Sequence, residues 1–189
     1  MKGVLIGLCG AKGSGKTFIA ENMRDHHEAT ILRFADTLKD MMRVMGFTEA
    51  QLTGDQKETP SEVLKGKTPR YAMQTLGTEW GRQMLHDTVW VDILVAKSKQ
   101  VQGMVVVDDV RFPNEIEAIH NNGGIVVWVD RESIYEEGDI HPSETSIQAD
   151  HCDVIMDNTG AIADVCINLE GWARLQARQR AYPPLQQQA

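Results

Sequence analysis

A glycine-rich segment near the start of the chain contains the residue types that bind nucleotide phosphates. Residues Gly10 to Thr17 read G-A-K-G-S-G-K-T, which matches the pattern G-x-x-x-x-G-K-[ST]. The apolar run Val4–Cys9 precedes this segment, and a helix-like stretch, Phe18–Met23, follows it. Glycines let successive backbone N–H groups turn around a phosphate, the lysine adds a charge near the β- and γ-phosphates, and the threonine hydroxyl suits Mg²⁺. We therefore expect this chain to bind a nucleoside triphosphate.

A second polar cluster follows the apolar run Met104–Val107. It contains Asp108, Asp109 and Arg111. In open α/β sheets, ligands bind beyond the carboxyl ends of the strands. There a carboxylate can hold Mg²⁺ or its waters or orient an acceptor, and an arginine can bind a phosphate through two parallel hydrogen bonds. The alternative is that the two aspartates cap a loop and Arg111 neutralises them, and the residues alone leave this open.

A third cluster lies on a predicted helix, for which Thr68 can act as the cap and Pro69 as the first residue. Helical spacing places Arg70, Gln74, Gly77 and Gly81 on one face and Met73, Leu76, Trp80 and Met84 on an adjacent one. Glycine inside a helix costs about 1 kcal/mol relative to alanine, which indicates that another group approaches closely. Either Arg70 and Gln74 contact a ligand, or the helix packs tightly and Arg70 is solvated. Trp90 could stack on a base or belong to the core.

Apolar runs alternate with helical patterns along most of the chain. Near-continuous apolar runs are typical of strands buried on both faces of a parallel sheet. We therefore predict a three-layer α/β fold, with a five-stranded parallel sheet and helices on both faces, in a single domain over residues 1–181. The predicted strands are Val4–Cys9, Thr30–Phe34, Met104–Val107, Ile125–Val129 and Val154–Met156.

Two polar segments lack an apolar period and are expected to be mobile until ligands bind. They are residues 53–67, with Gly54, Pro60 and Gly66, and residues 132–143. Segments of this kind can close over a bound ligand to exclude water and reopen to release it, so both segments are candidate lids. The tail, residues 182–189, is expected to be disordered.

Composition narrows the class of protein. The 189 residues carry a formal net charge of −8 without a long basic run, which argues against a binder of nucleic-acid polymers or membrane surfaces. Three cysteines without metal-ligand spacing favour a reducing compartment. No apolar stretch reaches the ~18 residues of a membrane span, and no signal peptide is recognisable. We expect a cytoplasmic protein. The sequence does not decide its oligomeric state, and a homodimer is one possibility.

With these three clusters and several further stretches, the chain resembles the bacteriophage deoxynucleoside monophosphate kinases, over nearly its whole length to about residue 170. The P-loop is common to many enzymes, whereas the Met-Gln-x-Leu-Gly-Thr and Asp-x-Arg-x-x-x-Glu motifs are much more particular. The matching stretches are Phe34 to Asp40, Arg70 to Thr78, Trp90-Val91, Asp109-x-Arg111-x-x-x-Glu115, Gly123-Gly124, Arg131, His141 with Glu144, and Asp157-Asn158-x-Gly160.

The resemblance implies ATP-dependent phosphorylation of a deoxynucleoside 5′-monophosphate. The implied ATP-binding residues are Lys12, Gly13, Ser14, Gly15, Lys16, Thr17, Arg131 and Asn158, with Thr17 on Mg²⁺. The implied residues for the monophosphate are Lys39, Arg70, Gln74, Gly77, Thr78, Trp90, Asp109, Arg111 and Glu115. Residues 53–67 are shorter than the long inserts of some family members, so base selectivity cannot be carried over.

Phosphoryl transfer needs two anionic ends held in line and cations around the transferred group. Lys16, Arg111 and Asp109 are the predicted catalytic residues, and Arg111 and Arg70 are candidates for the acceptor phosphate. Because residues 132–153 contain no Lys or Arg, the remaining cations must come from elsewhere, namely from Lys12, Lys39 and Arg131.

Two alternatives to this function stay open: a small-molecule kinase of the dephospho-CoA or shikimate type, and a nucleotide-dependent binding module. The last is weakened because the chain lacks an Asn-Lys-x-Asp guanine motif.

Overall fold

The computed structural model of this chain describes residues 4–131, 147–160 and 162–181. The chain divides into two compact units, Met1–Leu32 with Val95–Ala189, and Arg33–Leu94. We call the first the sheet unit and the second the helical unit. The predicted lid at 132–143, the residues His141 and Glu144, and the predicted disordered tail at 182–189 lie outside the described residues.

The sheet unit contains the predicted five-stranded parallel sheet. Its strands are β1 (Val4–Cys9), β2 (Thr30–Leu32), β3 (Met104–Val107), β4 (Ile125–Asp130) and β5 (Val154–Asp157). Their order is β2-β3-β1-β4-β5, and all four neighbouring pairs are parallel. β1 therefore lies at the centre, and its carboxyl end leads directly into the glycine-rich loop.

Three strand ends differ from the prediction, and the largest difference is at β2. β2 was expected to run to Phe34 but ends at Leu32. The N–H of Arg33 donates to the Asp36 carboxylate at 3.0 Å, and the N–H of Asp36 donates back to the Arg33 carbonyl at 3.1 Å. This turn uses the backbone groups that a longer strand would place in the sheet. β4 and β5 each extend one residue beyond their predicted ends.

Helices cover both faces of the sheet, as predicted. Alternate residues of β1 point to opposite faces, so Ile6 and Leu8 meet α1 (Lys16–His27) and α7 (Ile162–Ala181) in one apolar core. On the other face, a Cβ on Gly7 would lie 2.5 Å from Ile119 Cδ1 of α6 (Pro113–Asn121), so the missing side chain allows this helix to pack closely. None of the helices in the described parts of the chain is long and apolar enough to cross a bilayer.

The helical unit has a small apolar core of its own. Met42, Phe47 and Leu52 are buried there against Leu64, Ala72, Met73 and Leu76. Its helices are α2 (Asp36–Val44), α3 (Glu49–Leu52), a 3₁₀ turn (Asp55–Glu58), α4 (Pro69–Thr75) and the first part of α5 (Val89–Ser98). A π-helix, Leu76–Leu85, continues α4 without a break.

The polar segment 53–67 has local structure despite lacking an apolar period. Besides the 3₁₀ turn, the N–H of Ser61 donates to the Lys67 carbonyl at 2.9 Å, and the N–H of Gly66 donates to the Ser61 carbonyl at 2.9 Å. These bonds close a compact loop before α4. Movement of this segment on nucleotide binding stays a prediction.

The predicted helix after Thr68 begins where expected but does not keep an α-helical period. The Thr68 hydroxyl accepts a hydrogen bond from the Tyr71 N–H at 3.1 Å, and Pro69 is the first helical residue. From Leu76 the helix is π-helical, and its wider turns rotate later residues away from their α-helical positions. The prediction of one continuous face was therefore wrong. Gly81 is buried against Trp90, and Met84 of the predicted apolar stripe is 74% exposed.

Candidate active site

The glycine-rich loop between β1 and α1 has the backbone geometry that its sequence predicts. Gly10, Gly13 and Gly15 have φ angles of 133°, 84° and 98°, a region that other residues rarely occupy. At Gly10 space is also limiting, because a Cβ there would lie 2.4 Å from the Val129 carbonyl oxygen. Gly15 is the left-handed residue from which α1 begins. Glycine is thus required at both ends of the loop.

Lys16 folds back over this loop. Its Nζ donates to the carbonyl oxygens of Gly10 and Ala11, both at 2.7 Å, and lies 3.4 Å from Ser14 Oγ. Lys16 is also the first residue of α1, whose first turn contains no acidic side chain. The positive end of the helix and the ammonium group together favour an anion at the loop.

Asn158 connects the loop to the far strands of the sheet. Its Nδ2 donates to the Ser14 carbonyl oxygen at 2.7 Å, and its backbone N–H donates to the Asp130 carbonyl at 2.8 Å. A Cβ on Gly15 would lie 2.4 Å from the same Nδ2, so the amide rests directly on the loop backbone. The resemblance implied that Asn158 binds ATP and gave no sign of this contact, which joins residues 144 apart.

The remaining predicted ATP-binding residues of the sheet unit differ in exposure. Lys12, Gly13 and Thr17 are exposed on the loop and the first turn of α1, and Ser14 is fully buried beneath it. Arg131 is exposed directly after β4. The exposed ammonium and hydroxyl groups are therefore accessible to a bound nucleotide.

The second cluster follows β3, as predicted, at the carboxyl edge where β1 also ends. Asp108 is buried and Asp109 is half-buried, whereas the Arg111 side chain is exposed. Glu115 is only 2% exposed, and its Oε2 accepts from the N–H groups of Arg111 at 2.7 Å and Phe112 at 3.1 Å. Glu115 therefore caps α6 and fixes the backbone that bears Arg111. A contact between Glu115 and the substrate stays a prediction.

The oxygen donors near the loop suit Mg²⁺. Mg²⁺ in nucleotide sites takes one or two protein oxygens together with phosphate oxygens and waters. The Thr17 hydroxyl is exposed on α1, and Asp108 and Asp109 provide carboxylates at the end of β3. In the described residues no group of three or more His, Cys, Asp or Glu side chains could hold a metal without such help. The donor set thus fits a metal that is held mainly by the nucleotide.

The third cluster lies within the helical unit. Arg70, Gln74 and Thr78 are exposed, and Lys39 and Gly77 are half-buried. The Arg70 guanidinium is paired with the Glu58 carboxylate of the 3₁₀ turn. Arg70 is thus already held by a carboxylate, and a guanidinium can bind a phosphate through the same two parallel N–H groups.

Trp90 belongs to the core of the helical unit. It is 4% exposed, and its Nε1 donates to the Gly77 carbonyl at 2.8 Å. Its ring lies 6.2 Å from that of Trp80, and a Cβ on Gly81 would lie 2.5 Å from it. The close approach that the glycines predicted is therefore made by Trp90 at Gly81. A contact between Trp90 and a substrate base stays a prediction.

Two curated proteins are similar to this chain. A protein of Acanthamoeba polyphaga mimivirus, named as a deoxynucleotide monophosphate kinase, is 34% identical over 179 residues, which cover 85% of this chain and 91% of the relative. The deoxynucleoside-5′-monophosphate kinase of Escherichia phage T5 is 36% identical over 89 residues, which cover 43% of this chain and 36% of the relative.

Solved structures of small-molecule kinases align more distantly. An APS kinase of Mycobacterium tuberculosis covers 92% of this chain and 98% of its own, with 13% identity and a TM-score of 0.47. A shikimate kinase of Aquifex aeolicus covers 96% of this chain and all of its own, with 10% identity and a TM-score of 0.47. These values are too low to carry an argument about fold or function.

A family model supplies the assignment that the distant structures cannot. The model described as deoxynucleotide monophosphate kinase matches residues 67–168. This range includes Arg70, Asp109, Arg111 and Asn158, and the mimivirus relative extends the similarity to most of the chain. The resemblance seen in the sequence is thereby confirmed, and the chain belongs to the deoxynucleotide monophosphate kinase family.

Proposed function

We propose that this protein transfers the γ-phosphoryl group of ATP to a deoxynucleoside 5′-monophosphate, giving the diphosphate and ADP. The observation that carries the proposal is the formed phosphate-binding loop, with Lys16 held by two loop carbonyls, in a member of this family. Phosphotransferase chemistry follows from family membership. The phosphate-binding loop is the place where the phosphates of ATP, the donor, are proposed to bind.

On the donor side, the loop residues Lys12 to Thr17 bind the ATP phosphates. Lys16 exchanges its carbonyl partners for β- and γ-phosphate oxygens, and the loop N–H groups with the start of α1 provide further positive potential. Bound Mg²⁺ would supply charge neutralisation at the ATP phosphates. Thr17, together with Asp108 or Asp109, would hold the ion or its waters. Arg131 and Asn158 complete the donor site.

On the acceptor side, the monophosphate is bound mainly by cations. Arg111 has an exposed guanidinium on a backbone that Glu115 fixes, so binding a phosphate needs to order only the side chain. Arg70 leaves Glu58 for the phosphate, an exchange of one anionic partner for another. Asp109 orients the acceptor. Lys39, Gln74, Gly77, Thr78, Trp90 and Glu115 are the remaining proposed contacts.

The setting of the enzyme is part of the proposal. The net charge of −8 and the three unbridged cysteines suit a reducing compartment and small nucleotides rather than polymers. The similarity to a phage T5 protein supports a viral origin. We therefore place the reaction in the cytoplasm of an infected cell.

The direct experiment is ADP release, measured with ATP, Mg²⁺ and each common dNMP and NMP in turn. Shikimate and dephospho-CoA serve as rival acceptors. We expect at least one dNMP to stimulate ADP release strongly and the Lys16→Ala variant to abolish it with the fold retained. Stimulation only by shikimate or dephospho-CoA would contradict the proposal. Slow hydrolysis that no acceptor stimulates would indicate a nucleotide-dependent binding module instead.

A further inference from the structure

Two cysteines meet directly next to the phosphate-binding loop. The sulfur atoms of Cys9 and Cys152 are 2.9 Å apart, although 143 residues separate them in the sequence. Cys9 is the last residue of β1 and is 1% exposed, whereas Cys152 precedes β5 and is half-buried. Both are free thiols. The third cysteine, Cys166, lies in the apolar core between the sheet and α7.

The two sulfurs have different environments. The hydrogen bond from Cys9 lowers the pKa of Cys152 below that of an ordinary thiol. The same hydrogen bond, together with burial, raises the pKa of Cys9. A second acceptor for the Cys9 thiol is the Val127 carbonyl oxygen, at 3.5 Å. Cys152 is therefore the more acidic and the more accessible member of the pair, which are the properties of an attacking thiol.

We propose that Cys9 and Cys152 are an oxidative modification site, at which a hydroperoxide converts the two thiols into a disulfide at the start of the phosphate-binding loop. The two sulfurs are already close together, because the 2.9 Å between them needs to shorten only to about 2.05 Å. Disulfides in reducing compartments are commonly transient and redox-sensing, which suits a pair that starts as free thiols.

The disulfide forms in two steps. The Cys152 thiolate attacks one oxygen of hydrogen peroxide, the O–O bond breaks, and Cys152 becomes a sulfenic acid while the released hydroxide takes a proton to form water. The Cys9 sulfur then attacks the Cys152 sulfur, an S–S bond forms, and hydroxide leaves as water with the Cys9 proton. Two thiols lose two electrons and two protons in total, and the peroxide is reduced to two waters.

The Cys9–Cys152 disulfide is expected to displace the backbone of the phosphate-binding loop. Gly10 follows Cys9 directly, and its carbonyl oxygen holds Lys16 at 2.7 Å. On the side where a Cβ of Gly10 would lie, the Val129 carbonyl oxygen leaves Gly10 little room to absorb a shift of Cys9. Movement of Cys9 toward Cys152 is therefore passed to the oxygen that positions Lys16. This consequence for ATP binding rests on the proposed function, whereas formation of the disulfide does not.

The first experiment treats the full-length protein with hydrogen peroxide and maps its peptides by non-reducing mass spectrometry. We expect loss of two hydrogen atoms from the monomer and a peptide pair that links Cys9 to Cys152. The Cys152→Ser variant should not form this link, and the Cys166→Ala variant should form it as readily as the wild type. A wild-type protein that yields only sulfinic acid, a bond between two chains, or a bond to Cys166 would overturn the proposal.

The second experiment follows ATP kinetics of the same samples. A shift of about 1 Å near reacting groups can cost up to about 100-fold, so we expect oxidation to lower kcat/KM for ATP by about tenfold. Dithiothreitol should reverse the loss, and Cys152→Ser should resist it. If the mapped disulfide forms without changing ATP kinetics, the link to the loop is wrong. If the protein has no kinase activity at all, the proposed function fails while the disulfide map still decides the modification site.

Discussion

At the scale of single residues, the candidate site depends on cations whose positions are set by backbone oxygens and by one buried carboxylate. Lys16 is held by two loop carbonyls. Arg111 stands on a backbone that Glu115 fixes through two hydrogen bonds. A fixed backbone reduces the ordering that is still needed when a phosphate binds, which favours stabilisation of the transferred phosphoryl group.

Arg111 provides the sharpest test at this scale. We expect Arg111→Ala to lower kcat/KM by about 10³-fold, the low end of what a transition-state arginine supplies. Arg111→Lys should recover only part of the rate, because an ammonium group cannot form two parallel hydrogen bonds with a phosphate. Steady-state kinetics with a saturating second substrate gives these values. A loss below tenfold would return Arg111 to the alternative role of neutralising the neighbouring aspartates.

Asn158 tests whether the loop backbone needs support from beyond β5. Replacing it by Asp removes the donor to the Ser14 carbonyl and places two oxygens against each other. Because an unsatisfied buried group costs about 1–3 kcal/mol, we expect KM for ATP to rise by about tenfold while KM for the monophosphate stays unchanged. The neighbouring variant Thr159→Ala should leave both constants near their wild-type values. Equal changes in the two KM values would show a general loss of structure instead.

At the scale of elements, the helix from Pro69 to Leu85 is where sequence and structure differ most. Its first residue and cap were predictable, since Thr68 and Pro69 are strong local signals. The switch to a π-helix at Leu76 was not, because it is associated with packing of Gly81 on the distant Trp90 ring. The prediction assumed α-helical spacing throughout, so it places residues on the correct face only in the first two turns.

The exposed residues of this helix test the acceptor site. We expect Arg70→Ala and Gln74→Ala to raise KM for the monophosphate and to leave KM for ATP nearly unchanged. For Arg70 the rise should be about tenfold, since a hydrogen bond to a charged group contributes about 1.5–3 kcal/mol. Glu58→Gln serves as the control, because it releases Arg70 from its carboxylate and should not raise KM for the monophosphate. A fall in ATP affinity in the Arg70 variant would assign the helix to the donor site.

Other elements show how far sequence patterns extend. β1 and β3 were predicted residue for residue, because a continuous apolar run followed by glycine or aspartate is an unambiguous local signal. The end of β2 was missed because the Asp36 side chain captures the Arg33 N–H. The contacts of Asn158 with Ser14 and of Cys9 with Cys152 join residues more than 140 apart, so no local pattern could reveal them.

At the scale of the whole molecule, overall charge opposes the proposed ligands. The net charge of −8 repels two anionic nucleotides, so binding must rely on the few cations placed near each phosphate. Transfer to the acceptor rather than to water also requires that water be excluded during the reaction. The polar segment 53–67 is our proposed contributor to this exclusion.

We expect the segment 53–67 to be mobile without ligand and to become ordered when both nucleotides bind. Lys57, Lys65 and Lys67 provide trypsin sites within it. A bisubstrate analogue, with two nucleosides joined through a polyphosphate, should slow cleavage at these sites more than ATP alone. Equal cleavage with the analogue and with ATP would show that the segment is not a lid.

Transfer of a phosphoryl group between two nucleotides can be followed with a radioactive label on the group that moves. ATP labelled in the γ-phosphate is incubated with Mg²⁺, the protein and one dNMP at a time, and the products are separated. We expect labelled deoxynucleoside diphosphate in an amount equal to the ADP formed, and none with Lys16→Ala, while a Lys99→Ala control behaves like the wild type. Label that appears only as inorganic phosphate, whichever dNMP is supplied, would contradict this expectation.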